Sequence, residues 1–269
     1  MTLEILICTL DDGINNIPAM LLEPREGISY LVSWQHSDGK DNITLPEELK
    51  RCDVKVFNLN GRGLSRNRNN CLNHASGDIL LIADDDCSYT NSQLDTVVET
   101  FNRNPSLSLA TFRMASKHNN KSYPEHEFNL AKPPKGYYVT SFEIALRRVA
   151  AGHLHFDERF GLGAPVFQCC EEELFVEQAV EAGLECRFFP LTIVRHDDAT
   201  TQLTRATSPN VLAARGAYLW LSPRYHSTAL LRAVVMAWRM RKHGITFGHA
   251  FRHIYHGITL IRKQQDNKK

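Results

Sequence analysis

The stretch GDILLIADDD, residues 77–86, limits the folds open to this chain more than any other. Its apolar part, residues 79–83, has the length and composition of a buried strand. Three carboxylates follow: Asp84, Asp85 and Asp86. Adjacent acids repel, and burying them unpaired is costly. They are tolerated at the open end of a strand, where an α/β sheet presents its ligand crevice and a cation can be shared. Strand alternation points Asp84 and Asp86 to one side and Asp85 to the other. Hard oxygen ligands at i and i+2 suit Mg²⁺ or Mn²⁺, either of which can also hold a diphosphate. An acidic turn that caps the next helix explains the same residues, so the stretch alone leaves both readings open.

The neighbouring segments place this strand in a sheet. LEILICTL (residues 3–10), SYLVS (29–33) and VKVFNL (54–59) read as strands. Residues 14–22 read as a short helix interrupted by Pro18, and residues 107–112 as a further strand. Strands separated by modest helices predict an α/β class with a largely parallel sheet. Between the third strand and the acids lies GRGLSRNRNNCLNHASG, residues 61–77. It predicts a helix from about Arg66 to Ala75, capped by Ser65 and closed by Gly77 at C′. Arg62, Arg66 and Arg68 crowd its N-terminal end, where cations oppose the helix dipole. Free N–H groups beside arginines make an anion site, so a phosphate role is expected for at least one of them.

Residues 116–136 are polar and proline-rich and read as a loop over the site. Residues 137–142 read as a strand and residues 144–151 as a helix. Glu171, Glu172 and Glu173 then open an amphipathic helix over residues 174–182, where acids also suit the dipole. A strand over residues 186–194 ends in Arg195, His196, Asp197 and Asp198. His196 taken alone reads as a surface histidine before a metal ligand.

Charge is unevenly spread along the chain. The net charge is +1. From Arg215 to the end there are eleven Lys and Arg against one acid, Asp266, a balance of +10. The other 214 residues hold 20 bases and 29 acids, a balance of −9. In this basic tail Leu230, Leu231, Val234, Val235 and Trp238 form one helical stripe, and Phe247, Phe251, Ile254, Ile258 and Ile261 form another. Basic amphipathic helices over residues 228–263 suit an anionic membrane surface, or else pack on the body of the protein or on another subunit of a homodimer. Seven cysteines without CxxC spacing read as reduced thiols of a cytoplasmic protein. No basic region or cleavage site accompanies residues 3–10, and no run reaches 18 apolar residues, so neither a leader nor a membrane span is expected.

Taken together, residues 63–86 (GLSRNRNNCLNHASGDILLIADDD) resemble the donor-side pattern of family 2 glycosyltransferases of GT-A fold, in the bacterial polysaccharide and lipopolysaccharide style. Arg68–Asn69 fall on the family's Arg–Asn pair and Asp84-x-Asp86 on its DxD. Residues 160–183 (FGLGAPVFQCCEEELFVEQAVEAG) resemble the acceptor-side segment, in which the second of two acids is the catalytic base. Both registers, Glu172 and Glu171, are compatible with that role, and Cys169 or Cys170 stands where the family has glycine. Residues 194–201 (VRHDDATT) resemble the strand end that brings a histidine to the metal and diphosphate.

The resemblance implies a Rossmann-like, mixed and mainly parallel sheet flanked by helices. It implies a catalytic domain over 1–205, with a nucleotide-sugar half at about 1–115 and an acceptor half at 116–205. A helical extension follows over 206–269. It implies an inverting sugar transfer from a nucleotide-diphosphate donor, a UDP-sugar foremost, to a hydroxyl of a glycan or lipid-linked saccharide. Asp86, Asp84 and His196 would hold Mn²⁺ or Mg²⁺. Thr9, Asp38, Arg66, Arg68, Asp84 and Asp85 would hold the donor, and Glu172 or Glu171 would be the base. It implies no nucleic-acid partner, and a place in the cytoplasm or on the inner membrane face. A non-catalytic sugar-nucleotide-binding protein is the alternative. A sugar-phosphate nucleotidyltransferase is disfavoured, because the turn after the first strand, Leu10-Asp11-Asp12-Gly13, carries no base.

Overall fold

The computed structural model describes residues 1–39, 43–118, 121–197 and 205–267. They divide into two units: Met1–Phe156 with Phe175–Asp198, and Asp157–Leu174 with Ala199–Lys269. Residues 157–174 group with the C-terminal helices.

The first unit is built on an eight-stranded sheet. Its strands are β1 (Leu3–Leu10), β2 (Ile28–His36), β3 (Val54–Asn60), β4 (Ile79–Asp84), β5 (Leu107–Ala115), β6 (Phe128–Asn129), β7 (Ile144–Arg147) and β8 (Glu185–Arg195). The order across the sheet is β3-β2-β1-β4-β7-β5-β8-β6. The β3-β2-β1-β4 half is parallel, β7 runs antiparallel to both β4 and β5, and β5 pairs in parallel with β8. The helices of this unit include α1 (Leu64–His74), α2 (Asn91–Arg103) and the short α3 (Arg148–Ala151). The unit boundary falls inside α4 (Glu171–Glu181), after Leu174.

Side-chain alternation explains the double burial. Ile5, Ile7, Ile79 and Leu81 pack in one cluster with Leu94, Val97 and Phe101 of α2. Leu6, Leu80 and Ile82 pack in another with Cys71 and Leu72 of α1 and Phe175 and Ala179 of α4. A strand covered on both faces reads as a continuous apolar run, as β1 and β4 do. Each fully buried Leu or Ile contributes about 1.5–3 kcal/mol.

Several sequence expectations need correction. Residues 144–147, expected as helix, form β7, whose Ile144, Ala145 and Leu146 are fully buried between β4 and β5. The sheet offers ladder partners on both sides, which outweighs local helix preference. The short helix expected over residues 14–22 is a 3-10 helix that starts earlier, over Asp11–Met20, with Pro18 inside it. Helix α1 is capped by Gly63, not Ser65. Gly77 is not a left-handed C′ residue; a Cβ there would lie 2.7 Å from Cβ of Glu4, whose carboxylate accepts from the Ser76 and Gly77 amides. The proline-rich loop is anchored at Lys121, whose buried ammonium meets buried Glu143 at 2.6 Å.

The second unit is helical, with α5 (Pro209–Leu221), α6 (Ala229–Met240) and α7 (Phe247–Asp266). A Cβ at Gly216 would meet the Ile254 carbonyl oxygen at 1.9 Å, and one at Gly257 the Ala213 oxygen at 1.9 Å. Helices α5 and α7 therefore touch backbone to backbone. Among the described residues no helix is long and apolar enough to cross a membrane.

Candidate active site

The end of β4 sorts its three acids to three different partners. Asp84, level with Cys8 of β1, takes Nη2 of Arg68 at 3.1 Å and the Ser141 hydroxyl at 3.1 Å. Asp85 accepts the Thr9 hydroxyl at 2.5 Å. Asp86 meets Nε2 of His196 at 3.0 Å. The strand stops at Asp84, so Asp85 and Asp86 lie in the turn that follows. Burial pushes the Asp85 carboxyl up to about 6, with the charges of Asp84 and Asp86 adding to the rise and the Thr9 hydrogen bond opposing it.

His196 reaches Asp86 because β8 is clipped to the acidic turn. The Ser88 amide donates to the Arg195 carbonyl and the Arg195 amide to Ser88, both at 2.9 Å. The His196 amide donates to Ala115 at 3.0 Å, and its ring stacks on Phe142 with centroids 4.5 Å apart. Far from lying on the surface, His196 is buried. The remainder of the VRHDDATT motif from residue 198 onward lies outside the described residues.

The arginines of α1 part company. Arg68 is 2% exposed, paired to Asp84, with its guanidinium 5.4 Å from the centre of the Phe156 ring. Its neighbour Asn69 exchanges two hydrogen bonds with the Phe156 backbone, at 2.9 and 2.8 Å. Arg66 is exposed and donates to the Asn60 carbonyl at 2.9 Å, and Arg62 is exposed. Arg68 thus braces Asp84, while Asn69 fastens α1 to the Phe156 backbone.

Of the remaining expected donor residues, Thr9 is buried beside Asp85, and Asp38 is exposed in the turn after β2. Gly13 is a residue the sequence reading passed over: a Cβ there would lie 2.2 Å from Asp85 Oδ2 and 2.5 Å from Thr9 Oγ1. Its sole sequence signal is its place in the turn after β1. Ser141 and Phe142 were also missed, and nothing in their local sequence marks them.

The donor set at the turn fits a divalent cation on one face. Asp86 offers a carboxylate oxygen and His196 an imidazole nitrogen, 3.0 Å apart. Among the described residues no group of three His, Cys, Asp or Glu converges.

Glu171, Glu172 and Glu173 form the first turn of α4, with Glu171 buried. Directly before them Cys170 adopts φ 72°, a left-handed conformation that favours glycine.

A family model described as Glycosyl transferase family 2 matches residues 37–160. No curated protein matches the chain. Among solved structures, TarS of S. aureus, residues 1–349, aligns with TM-score 0.59 at 13% identity, covering 98% of this chain and 92% of that one. The same fragment in complex with UDP-GlcNAc aligns at 0.58 and 14% identity, covering 89% and 72%. The mannosyltransferase PcManGT from Pyrobaculum calidifontis, in complex with GDP-Man and Mn²⁺, aligns at 0.57 and 12% identity, covering 97% and 75%. Against the longer TarS structure the chain spans 44% of that protein's length. Residues 37–160 thus match the family 2 glycosyltransferase model, and the mixed sheet has the GT-A fold of the glycosyltransferase structures that align with this chain.

Proposed function

We propose that this protein transfers a sugar, with inversion, from a nucleotide-diphosphate donor to a hydroxyl of a glycan or lipid-linked saccharide in cell-surface polysaccharide synthesis. The observation that carries the reading is the pairing of Asp86 with His196 beyond the carboxyl end of β4, next to an Asp84 already braced by Arg68. The relatives that hold UDP-GlcNAc, or GDP-Man with Mn²⁺, support a donor of this class.

Each step has a residue. Thr9 and Asp38 border the place of the base and ribose, and Asp84, held by Arg68 and Ser141, accepts a ribose hydroxyl. Exposed Arg66 contributes positive charge toward the phosphates. Asp86 and His196 would hold a divalent cation, Mn²⁺ or Mg²⁺, which would supply positive charge against the departing diphosphate. Glu172 takes the proton of the acceptor hydroxyl as it attacks the face opposite the leaving group. The choice of Glu172 over Glu171 rests on Cys170. Its positive φ, a conformation that favours glycine, supports reading it at the family's glycine position, with Glu171–Glu172 as the acid pair and the second acid as the base.

Turnover of UDP-GlcNAc and GDP-mannose with Mn²⁺, including transfer to water, tests this assignment. Glu172→Gln is expected to lose about 10²–10⁴ in rate, while Glu171→Gln loses less. Equal losses in both variants, or a larger loss in Glu171→Gln, would overturn the register.

A further inference from the structure

Helix α6 is assembled in an unusual sense. The face it buries is small: Ala229, Ala233 and Ala237, ending at Met240. Its large residues point outward. Leu230, Leu231, Val234, Val235 and Trp238 are each between 42% and 66% exposed. At about 100° per residue these five fall on one face, away from the alanine stripe. An exposed cluster of bulky apolar groups on one helix face marks a surface that meets something other than water.

The charges around this face indicate what it meets. Arg232 and Arg239 lie to one side of the apolar stripe, and exposed Arg241 and Lys242 follow in the next turn. No Asp or Glu occurs between Asp198 and Asp266. Arg232 is held in place, its Nε donating to the Thr228 hydroxyl at 2.9 Å and its guanidinium 4.3 Å from the Tyr225 ring centre. A second copy docking by the same face would bring like charges together, which disfavours a two-fold dimer here. A tryptophan and aliphatic side chains flanked by arginine and lysine match an interface of acyl chains and anionic headgroups.

We propose that the outward face of α6 docks the protein on an anionic phospholipid surface. The apolar side chains enter the headgroup boundary while Arg232, Arg239, Arg241 and Lys242 meet lipid phosphates. This association is independent of donor and acceptor, so it stands or falls apart from the transferase reading.

Flotation of the full chain with vesicles tests it. The protein is expected to float with phosphatidylcholine–phosphatidylglycerol vesicles and to remain behind with phosphatidylcholine alone. Raised salt should release it, because exposed charges are screened. Leu231→Asp with Trp238→Asp, and separately Arg239→Glu with Lys242→Glu, should each lower the bound fraction at least tenfold. All four side chains are exposed, so thermal midpoints should hold; if the apolar pair fails to fold, the charge pair decides. No flotation, or flotation indifferent to the charge variants, overturns the proposal. So does a stable dimer in sedimentation velocity that the apolar variants dissociate, because the face would then belong to a second copy.

Discussion

Cys170 holds φ 72° immediately before the acids of α4, so its backbone does what glycine does at lower cost. A non-glycine residue in the left-handed region costs about 1–2 kcal/mol. Truncating the buried thiol loses packing in either variant, and comparing Cys170→Gly with Cys170→Ala separates the two effects. The glycine variant is expected to be the more stable by about 1 kcal/mol in chemical denaturation, the reverse of the usual order. A more stable alanine variant would show that the position is unstrained. The acids of β4 teach a related lesson. Their presence at a strand end was legible in the local sequence; their partners were not, apart from the grouping of Asp86 with His196 that the family resemblance implied. Arg68 reads as part of a basic first turn but is buried against Asp84, and the mate of Asp86 arrives from more than a hundred residues along the chain. Local patterns carry no record of such long-range pairings.

At the scale of elements, the strands with uninterrupted apolar runs were legible because both their faces are covered. Strand β7 was not, since IALRRVAA also suits a helix and only the gap between β4 and β5 makes it a strand. The outward stripe of α6 was visible as a stripe, yet its direction is set by the Ala229–Ala233–Ala237 face, whose small residues allow close packing. The contact of α5 with α7 yields a paired prediction. Gly257→Ala must drive a methyl into the Ala213 carbonyl and is expected to destabilise by about 1–3 kcal/mol. Gly248→Ala, in the same helix with nothing within 4 Å of its Cβ, is expected to be neutral or stabilising by less than about 1 kcal/mol. Thermal melts of the two variants check it, and similar midpoints would contradict the close helix contact.

At the scale of the whole molecule, the chain separates an acidic body from a basic tail within a net charge of +1. The two proposals assign these parts different work: donor binding to the sheet unit, and lipid docking to the exposed helix face. The central claim is the donor site at Asp84, Asp86 and His196. Calorimetric titration of UDP and GDP, with and without Mn²⁺, into the parent protein and Asp86→Ala tests it most directly. One nucleotide is expected to bind in the presence of Mn²⁺, and chelation or Asp86→Ala to weaken it at least tenfold, about 1.4 kcal/mol or more. Binding of neither nucleotide under any metal condition, or binding unchanged in Asp86→Ala, would contradict it.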